Sequence, residues 1–244
     1  MDYTPLADLY QQQYAGYYDD IHHYARMADR IHGKVLELGA GGGRVTIPLA
    51  RRGHAVTALE LSSGMLDYAR FYAQQEGVEV QWVQGDMRDF DLSDTFDLII
   101  APFNALMHLY TPKDQKKALD SIVKHLAPGG TLAFDVYVPN FGLQGVLRHE
   151  GETFITPEFR RDVFVMQRID PVKQLATTQY FVDTTDQAGT LRREHHSLIQ
   201  RYYTRYELEW MLLSVGLQAQ FSGSFSGDPF TAESHVMVVQ ASRI

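Results

Sequence analysis

Short apolar runs rich in β-branched residues alternate with longer amphipathic segments between residues 33 and 138. The runs that predict strands cover residues 34–38, 55–60, 78–83, 96–101 and 131–138. Helices are predicted between them over residues 43–52, 63–76 and 112–126, and the turn sequence Pro128-Gly129-Gly130 is expected to stop the last one. This alternation predicts a doubly wound α/β fold built on a parallel sheet.

The segments on either side of this core have patterns of their own. Residues 1–32 have a helical pattern with six tyrosines, and we expect them to form a lid. Three β-rich runs at 163–169, 174–183 and 190–199 predict a three-stranded antiparallel insertion within residues 151–203. A capping box from Thr204 to Glu207 opens a further helix that ends before Gly216, and two last strands are expected near residues 217–225 and 234–241. We therefore expect one domain over residues 1–244, with a lid (1–32), a core (33–138), an insertion (151–203) and a closing unit (204–244).

Composition excludes several classes of protein. The 22 Lys and Arg against 30 Asp and Glu give a net charge of −8, so no broad positive field would attract nucleic acid. The absence of cysteine excludes disulfides, a thiolate nucleophile and cysteine-based metal centres, and no other metal site is indicated. The N-terminus lacks the basic start and apolar stretch of a secretory signal, and no run reaches membrane-spanning length, so a cytoplasmic protein is expected.

The strongest chemical signal is the junction between the first predicted strand and helix. Gly39, Gly41 and Gly43 occupy alternate positions directly after the buried strand. Glycines at such a junction let the backbone approach a ligand, and the helix N-terminus offers unpaired N–H groups. This pattern indicates a cradle for a nucleoside cofactor, although a tight strand–helix turn alone would also require one glycine.

Two carboxylates follow at the ends of the next strands. Glu60 ends the second strand 21 positions after Gly39, near the ~20 expected for a carboxylate that binds ribose hydroxyls. Asp86 and Met87 follow the third strand, where a carboxylate and a thioether would suit an amino group on a flat ring, as in adenine. A NAD site would need glycine three positions after Gly41, but Arg44 stands there, which disfavours a NAD-dependent oxidoreductase.

In this order, together with Met65 and Pro128-Gly129-Gly130, these motifs resemble those of the class I S-adenosylmethionine-dependent methyltransferases. The resemblance implies a Rossmann-like, seven-stranded mixed sheet with helices on both faces, and S-adenosylmethionine as the cofactor. It implies that the glycine turn lines the methionine half of the cofactor and that a carboxylate binds its ribose. It also implies that apolar side chains flank the adenine ring and that two further residues hydrogen-bond to it. The residues concerned are, in that order, Gly39, Ala40, Gly41 and Gly43 with Glu37 supporting the turn, then Glu60, then Leu61 and Met65 as flanks, and Asp86 and Met87 as hydrogen-bonding partners.

The segment after the fourth strand is where that family places cofactor-lining and substrate residues, here Ala101 and Phe103. It lacks the Asn/Asp-Pro-Pro-Tyr signature of enzymes that methylate nucleic-acid bases or glutamine, which argues against those acceptors. A histidine shortly after this strand and an N-terminal tyrosine are similar to amino-sugar N-methyltransferases, and the matches fall on His108 and Tyr14 as catalytic residues. We expect His108 to take a proton near neutral pH or to hold an amine by a hydrogen bond; otherwise it merely packs or caps a helix start.

The sequence thus predicts a methyltransferase that moves a methyl group to a nitrogen or oxygen nucleophile of a small polar molecule. No nucleic acid or membrane partner is expected, and a homodimer is left open. Two alternatives remain. One is methylation of a protein or RNA, and the other is a regulatory or scaffold protein that binds S-adenosylmethionine without turnover, since binding motifs outnumber catalytic ones.

Overall fold

The computed structural model describes residues 18–244 of the 244-residue chain. The helices of this part are α1 (Asp19–Ile31), α2 (Thr46–Arg51), α3 (Ser63–Gln75), α4 (Pro112–His125) and α5 (Arg205–Leu213), with 3₁₀ turns at Ala105–His108 and Phe141–Leu143. The strands are β1 (Val35–Leu38), β2 (Val56–Glu60), β3 (Gln81–Gln84), β4 (Phe96–Ala101), β5 (Leu126–Tyr137), β6 (Arg148–His149), β7 (Phe154–Ile155), β8 (Phe159–Asp170), β9 (Leu175–Asp186), β10 (Leu191–Arg201), β11 (Leu217–Ser222) and β12 (Val236–Arg243). Within residues 18–244, no helix has the length and apolar character needed to cross a membrane.

Seven strands form one mixed sheet in the order β3-β2-β1-β4-β5-β12-β11. In this sheet β12 runs antiparallel to the other six strands, which are parallel to one another. The chain winds outward from β1 in one direction and from β4 in the other, so the loops after these two strands separate and leave a crevice at their carboxyl ends. The predicted doubly wound fold is therefore confirmed, with its ligand crevice expected between β1 and β4.

Successive residues of the central strands face opposite helical layers. Leu98 and Ile100 pack with Tyr24 of α1 and Leu49 of α2 on one face of the sheet. Ile99 packs on the other face, against apolar residues of α4 and α5. Each such side chain that leaves water on folding stabilises the core by about 1.5–3 kcal/mol.

The described part of the predicted lid is a core helix. Tyr24 is fully buried, and Met27 and Ala28 are buried beside it. Helix α1 packs on the face of the sheet, and its first turn brings Asp20 to the glycine loop after β1. Tyr14 and the rest of residues 1–17 lie outside the described residues.

The insertion has five strands instead of the predicted three. Strands β8, β9 and β10 correspond to the three predicted runs, and the two-residue strands β6 and β7 pair with β8. Two residues are too few to give an alternating pattern, so the sequence could not reveal β6 and β7. The chain leaves the core at Phe141 and returns at Tyr202, and these two rings lie 5.5 Å apart.

The prediction that Pro128-Gly129-Gly130 ends α4 is wrong. The helix ends at His125, and β5 begins at Leu126, before this motif. The pairing of β5 with β4 shifts across the motif, where Gly129 has φ +78°. The motif therefore forms an irregular section inside a strand, because a left-handed glycine lets the strand bulge without leaving the sheet.

Candidate active site

The loop between β1 and α2 contains three glycines in the left-handed region. Gly39, Gly41 and Gly43 have φ values of +70°, +55° and +83°. A Cβ on Gly39 would lie 3.2 Å from the Cβ of Ala105, and a Cβ on Gly43 would lie 3.0 Å from Cδ1 of Ile47. Both the backbone conformation and the close neighbours require glycine. The loop thus leaves its backbone accessible at the carboxyl end of β1, which fits the predicted cofactor cradle.

Apolar side chains border this loop on its β2 and β3 sides. Cε of Met65 lies 3.5 Å from the position of a Cβ on Gly41, and Cε of Met87 lies 3.5 Å from that on Gly39. Leu61, between β2 and α3, is 54% exposed, so its apolar surface is available to a ligand. Polarisable thioethers and an exposed leucine form a surface suited to a flat ring.

Glu60 connects the end of β2 to the glycine loop. Its carboxylate accepts hydrogen bonds from the backbone N–H of Gly41 at 2.9 Å and of Ser62 at 2.8 Å. Each carboxylate oxygen keeps a further lone pair, so the group can hold the loop and still accept from two hydroxyls. Glu60 thus stands beside the glycine loop with acceptor capacity left for a ligand.

Glu37 lies buried beneath the same loop, with 2% of its surface exposed. Thr46, in the first turn of α2, donates its hydroxyl to Glu37 Oε2 at 2.5 Å. Burial raises the pKa of Glu37 to about 8, against the opposing effects of this hydrogen bond and the Arg44 charge. The bond joins β1 to α2 across the glycines, and the raised pKa keeps the carboxyl mostly protonated at neutral pH.

Asp86 stands at the carboxyl end of β3 but already has a partner. Nε of Arg88 lies 3.0 Å from both carboxylate oxygens, and the backbone N–H of Arg88 donates to Oδ1 at 2.9 Å. These hydrogen bonds and the Arg88 charge lower the pKa of Asp86. Arg88 also donates to Asp114 of α4 at 3.1 Å. An adenine amino group would therefore have to share the Asp86 carboxylate with Arg88.

The turn after β4 contains two consecutive non-glycine residues in the left-handed region, Phe103 at φ 54° and Asn104 at φ 65°. This conformation costs roughly 1–2 kcal/mol per residue. Asp135 of β5 stabilises it, because Oδ1 accepts from the N–H of Phe103 at 2.9 Å and Oδ2 from that of Asn104 at 3.3 Å. The hydroxyl of Tyr24 donates to Asp135 Oδ1 at 2.6 Å. Predicted residue Ala101, at the end of β4, is fully buried beside this turn.

Sequence reasoning did not identify Tyr24 or Asp135. Burial raises the pKa of Asp135 to about 6, while its three hydrogen bonds act in the opposite direction. A signal was available in the sequence, because Asp135 interrupts an apolar run that predicts a buried strand, and a buried carboxylate requires partners. Its partners could not be read from the sequence, since Tyr24 lies 111 positions away.

His108 ends the 3₁₀ turn Ala105–His108, which contacts β10 of the insertion. The hydroxyl of Tyr203 donates to the carbonyl oxygen of Leu106 at 2.9 Å and holds this turn in place. Burial lowers the pKa of His108 to about 4, so the imidazole is neutral at physiological pH. This low pKa argues against the expected proton uptake near neutral pH, whereas a neutral ring can still accept a hydrogen bond from an amine.

The structure thus places the glycine loop, Glu60 and the His108 turn after adjacent strands, at the carboxyl edge of the sheet. Tyr14, the second predicted catalytic residue, lies outside the described residues. Within residues 18–244, no group of three or more His, Asp or Glu side chains is arranged to hold a metal ion.

Comparison with known proteins gives a consistent result. Residues 35–130 match the family model of a methyltransferase domain. Cypemycin N-terminal methyltransferase from Streptomyces sp. is 30% identical over 213 residues, which cover 86% of this chain and 82% of the relative. The CcbJ methyltransferase of Streptomyces caelestis superposes with a TM-score of 0.78 at 25% identity, covering 94% of this chain and 98% of that one. CalS10 of Micromonospora echinaspora, an amino pentose methyltransferase solved with S-adenosylmethionine bound, gives a TM-score of 0.77 at 24% identity, with 95% and 96% covered.

Proposed function

Because this chain belongs to the class I S-adenosylmethionine-dependent methyltransferases, we propose that it methylates an amine nitrogen of a small polar molecule. The cofactor, when bound, supplies an electrophilic methyl group on a sulfonium. The observation that supports an amine acceptor is the position of His108 on the turn after β4, with a pKa lowered by burial to about 4. Such a weak base is unsuited to deprotonating a hydroxyl, but it can accept a hydrogen bond from an amine that is already neutral. The names of two similar proteins, an N-terminal methyltransferase and an amino pentose methyltransferase, support the same acceptor chemistry.

In this proposal the glycine loop and its neighbours hold the cofactor. The loop backbone would face the methionine half, Glu60 would accept from the ribose hydroxyls, and Leu61, Met65 and Met87 would border adenine. Asp86 would accept from the adenine amino group while it keeps its hydrogen bonds to Arg88. Phe103 would complete the crevice wall after β4, and the buried side chains of Ala40 and Ala101 would support the walls from behind.

His108 acts on the acceptor in this proposal. An amine attacks through its lone pair, so it must arrive unprotonated and correctly aligned for an in-line displacement. The neutral imidazole accepts one N–H of the amine, which orients the nitrogen and leaves its lone pair available. The extra proton on the methylated nitrogen is then lost to water, so His108 need not take it. Tyr14 and the insertion (151–203) are proposed to close the acceptor side.

An acceptor screen tests this function. We expect transfer from methyl-labelled S-adenosylmethionine to a methyl glycoside of an amino pentose, and none to the same pentose with a hydroxyl in place of the amine. A short peptide with a free N-terminus, compared with its acetylated form, tests whether peptide amines are also accepted. Mass spectrometry of the product locates the methyl group. Transfer to the hydroxyl probe without transfer to either amine would contradict the proposal.

Replacing Glu60 by alanine should weaken cofactor binding. A lost hydrogen bond to a charged group costs about 1.5–3 kcal/mol, so the Kd for S-adenosylmethionine in calorimetry should rise about 10–150-fold. Glu60→Gln keeps one acceptor oxygen and should lose less. Glu76→Ala removes a carboxylate that pairs with Arg51 at the far end of α3, and it serves as the matched control. An unchanged Kd for Glu60→Ala would exclude Glu60 from the cofactor site.

A further inference from the structure

Helix α1 is linked to both walls of the crevice through buried carboxylates. The first link is Asp20, which is fully buried in the first turn of α1. Arg44 of the glycine loop donates Nη1 to Asp20 Oδ1 at 3.1 Å and Nη2 to Oδ2. The Arg44 guanidinium also lies 4.5 Å from the ring centroid of Phe103, so it connects the glycine loop to the turn after β4.

The second link is formed by Tyr24 and Asp135. Asp135 is 3% exposed and accepts from the Tyr24 hydroxyl and from the two backbone N–H groups of the left-handed turn. Asn104 in turn accepts from the backbone N–H of Tyr137 at 2.7 Å, which fixes the other side of the turn to β5. One carboxylate therefore satisfies three donors, two of which belong to residues in an unfavourable backbone conformation.

We propose that Asp135 and Tyr24 are positioning residues for cofactor binding. Asp135 holds Phe103 and Asn104 in the left-handed conformation that forms the β4 wall of the crevice, and Tyr24 orients the Asp135 carboxylate. The proposal rests on the proposed function, in that this turn borders the cofactor. Strained backbone at a ligand site is retained when the surrounding structure enforces it, and the benefit is a wall that needs no rearrangement on binding.

The affinity for the cofactor should depend on this enforcement. Without the carboxylate, the turn can relax into a more favourable conformation. The binding-competent fraction of the free protein then falls, and the apparent Kd rises by the inverse of that fraction. A residue that only supported the fold would lower the Tm and leave the Kd of the folded protein unchanged.

Calorimetry with S-adenosylmethionine and its demethylated product tests the proposal. Asp135→Asn should raise both Kd values about 10-fold, because this factor corresponds to the conformational free energy of about one left-handed residue that relaxes. Tyr24→Phe keeps the carboxylate and should raise them less, by roughly 3-fold. Thr57→Val is the matched control, because it removes a buried hydroxyl that donates to Gln81 at 3.1 Å in the early part of β2. It should lower the Tm without changing either Kd.

A rescue experiment separates positioning from general stability. Glycine adopts the left-handed conformation without strain, but Asn104→Gly also removes the oxygen that accepts from Tyr137. The substitution is therefore compared in both backgrounds, and it should cost less affinity in Asp135→Asn than in the otherwise unsubstituted protein. Losses that simply multiply in the double variant, or an unchanged Kd in Asp135→Asn, would overturn the proposal. If Asp135→Asn does not fold, an unchanged Kd in Tyr24→Phe would overturn the proposal instead. Absence of cofactor binding by the unsubstituted protein would instead refute the proposed function itself.

Discussion

Gly41→Val should raise the Kd for S-adenosylmethionine at least about 100-fold, or about 2.7 kcal/mol. Gly41 has φ +55°, which a β-branched residue adopts only with strain, and its N–H donates to Glu60. A valine would shift this part of the loop, disturb the Glu60 hydrogen bond and bring its methyl groups towards Met65. Calorimetry on the purified, folded variant measures the loss.

Gly53→Val provides a closely matched control. Gly53 has φ +86° in the turn between α2 and β2, and a Cβ there would have no atom within 4 Å. Both variants should lose stability from the same backbone strain, but only the loop variant should lose affinity. Equal Kd values for the two variants would show that the glycine loop does not hold the cofactor.

His108→Ala should lower kcat about 10²-fold while the Kd for S-adenosylmethionine changes little. The imidazole acts on the acceptor in the proposed function, so its loss disturbs amine alignment and leaves the cofactor in place. His108→Asn should recover part of the rate, because its amide oxygen can still accept a hydrogen bond. His54→Ala removes an imidazole that pairs with Asp29 before β2, at the opposite edge of the sheet, and should leave kcat unchanged. Full activity in His108→Ala would exclude this role.

The pH profile distinguishes an orienting histidine from a general base. With its pKa lowered to about 4 by burial, His108 loses its proton well below neutral pH and stays neutral above it. Any rise in kcat/KM from neutral to alkaline pH should therefore report deprotonation of the free amine, and it should persist in His108→Ala. Disappearance of a limb near the ordinary histidine pKa in that variant would instead identify His108 as a base.

The sequence alone predicts those structural elements that depend on short stretches of the chain. Periodicity predicted the strands and helices of the sheet, and glycines at alternate positions after β1 marked a loop whose backbone needs left-handed conformations. Thr204 and Glu207 form the capping box that their spacing predicts. The positions of Gly39, Gly41 and Glu60 at the carboxyl edge follow from the same local pattern and from the rules of parallel sheets.

The rest depends on contacts between distant parts of the chain. The charge state of His108 follows from burial, which no short sequence window reveals. The pairing of Asp135 with Tyr24 requires α1 to lie on β5, and that arrangement follows from packing of the whole layer. Arg88 stands only two positions from Asp86, but the pairing of their side chains depends on the turn after β3, whose conformation this spacing does not determine.

The adjacency of Phe141 and Tyr202 lets the length of the second sheet vary in evolution. When two ends already meet, the entropy of closing the chain between them grows only slowly with the length inserted. Val163 and Val182 form a small cluster of their own with Tyr180, apart from the main core. Changes of length near Val163 and Val182 should therefore cost the main core little, whereas Ile169 and Ala176 pack in that core and have to be kept while the far side of the second sheet diversifies.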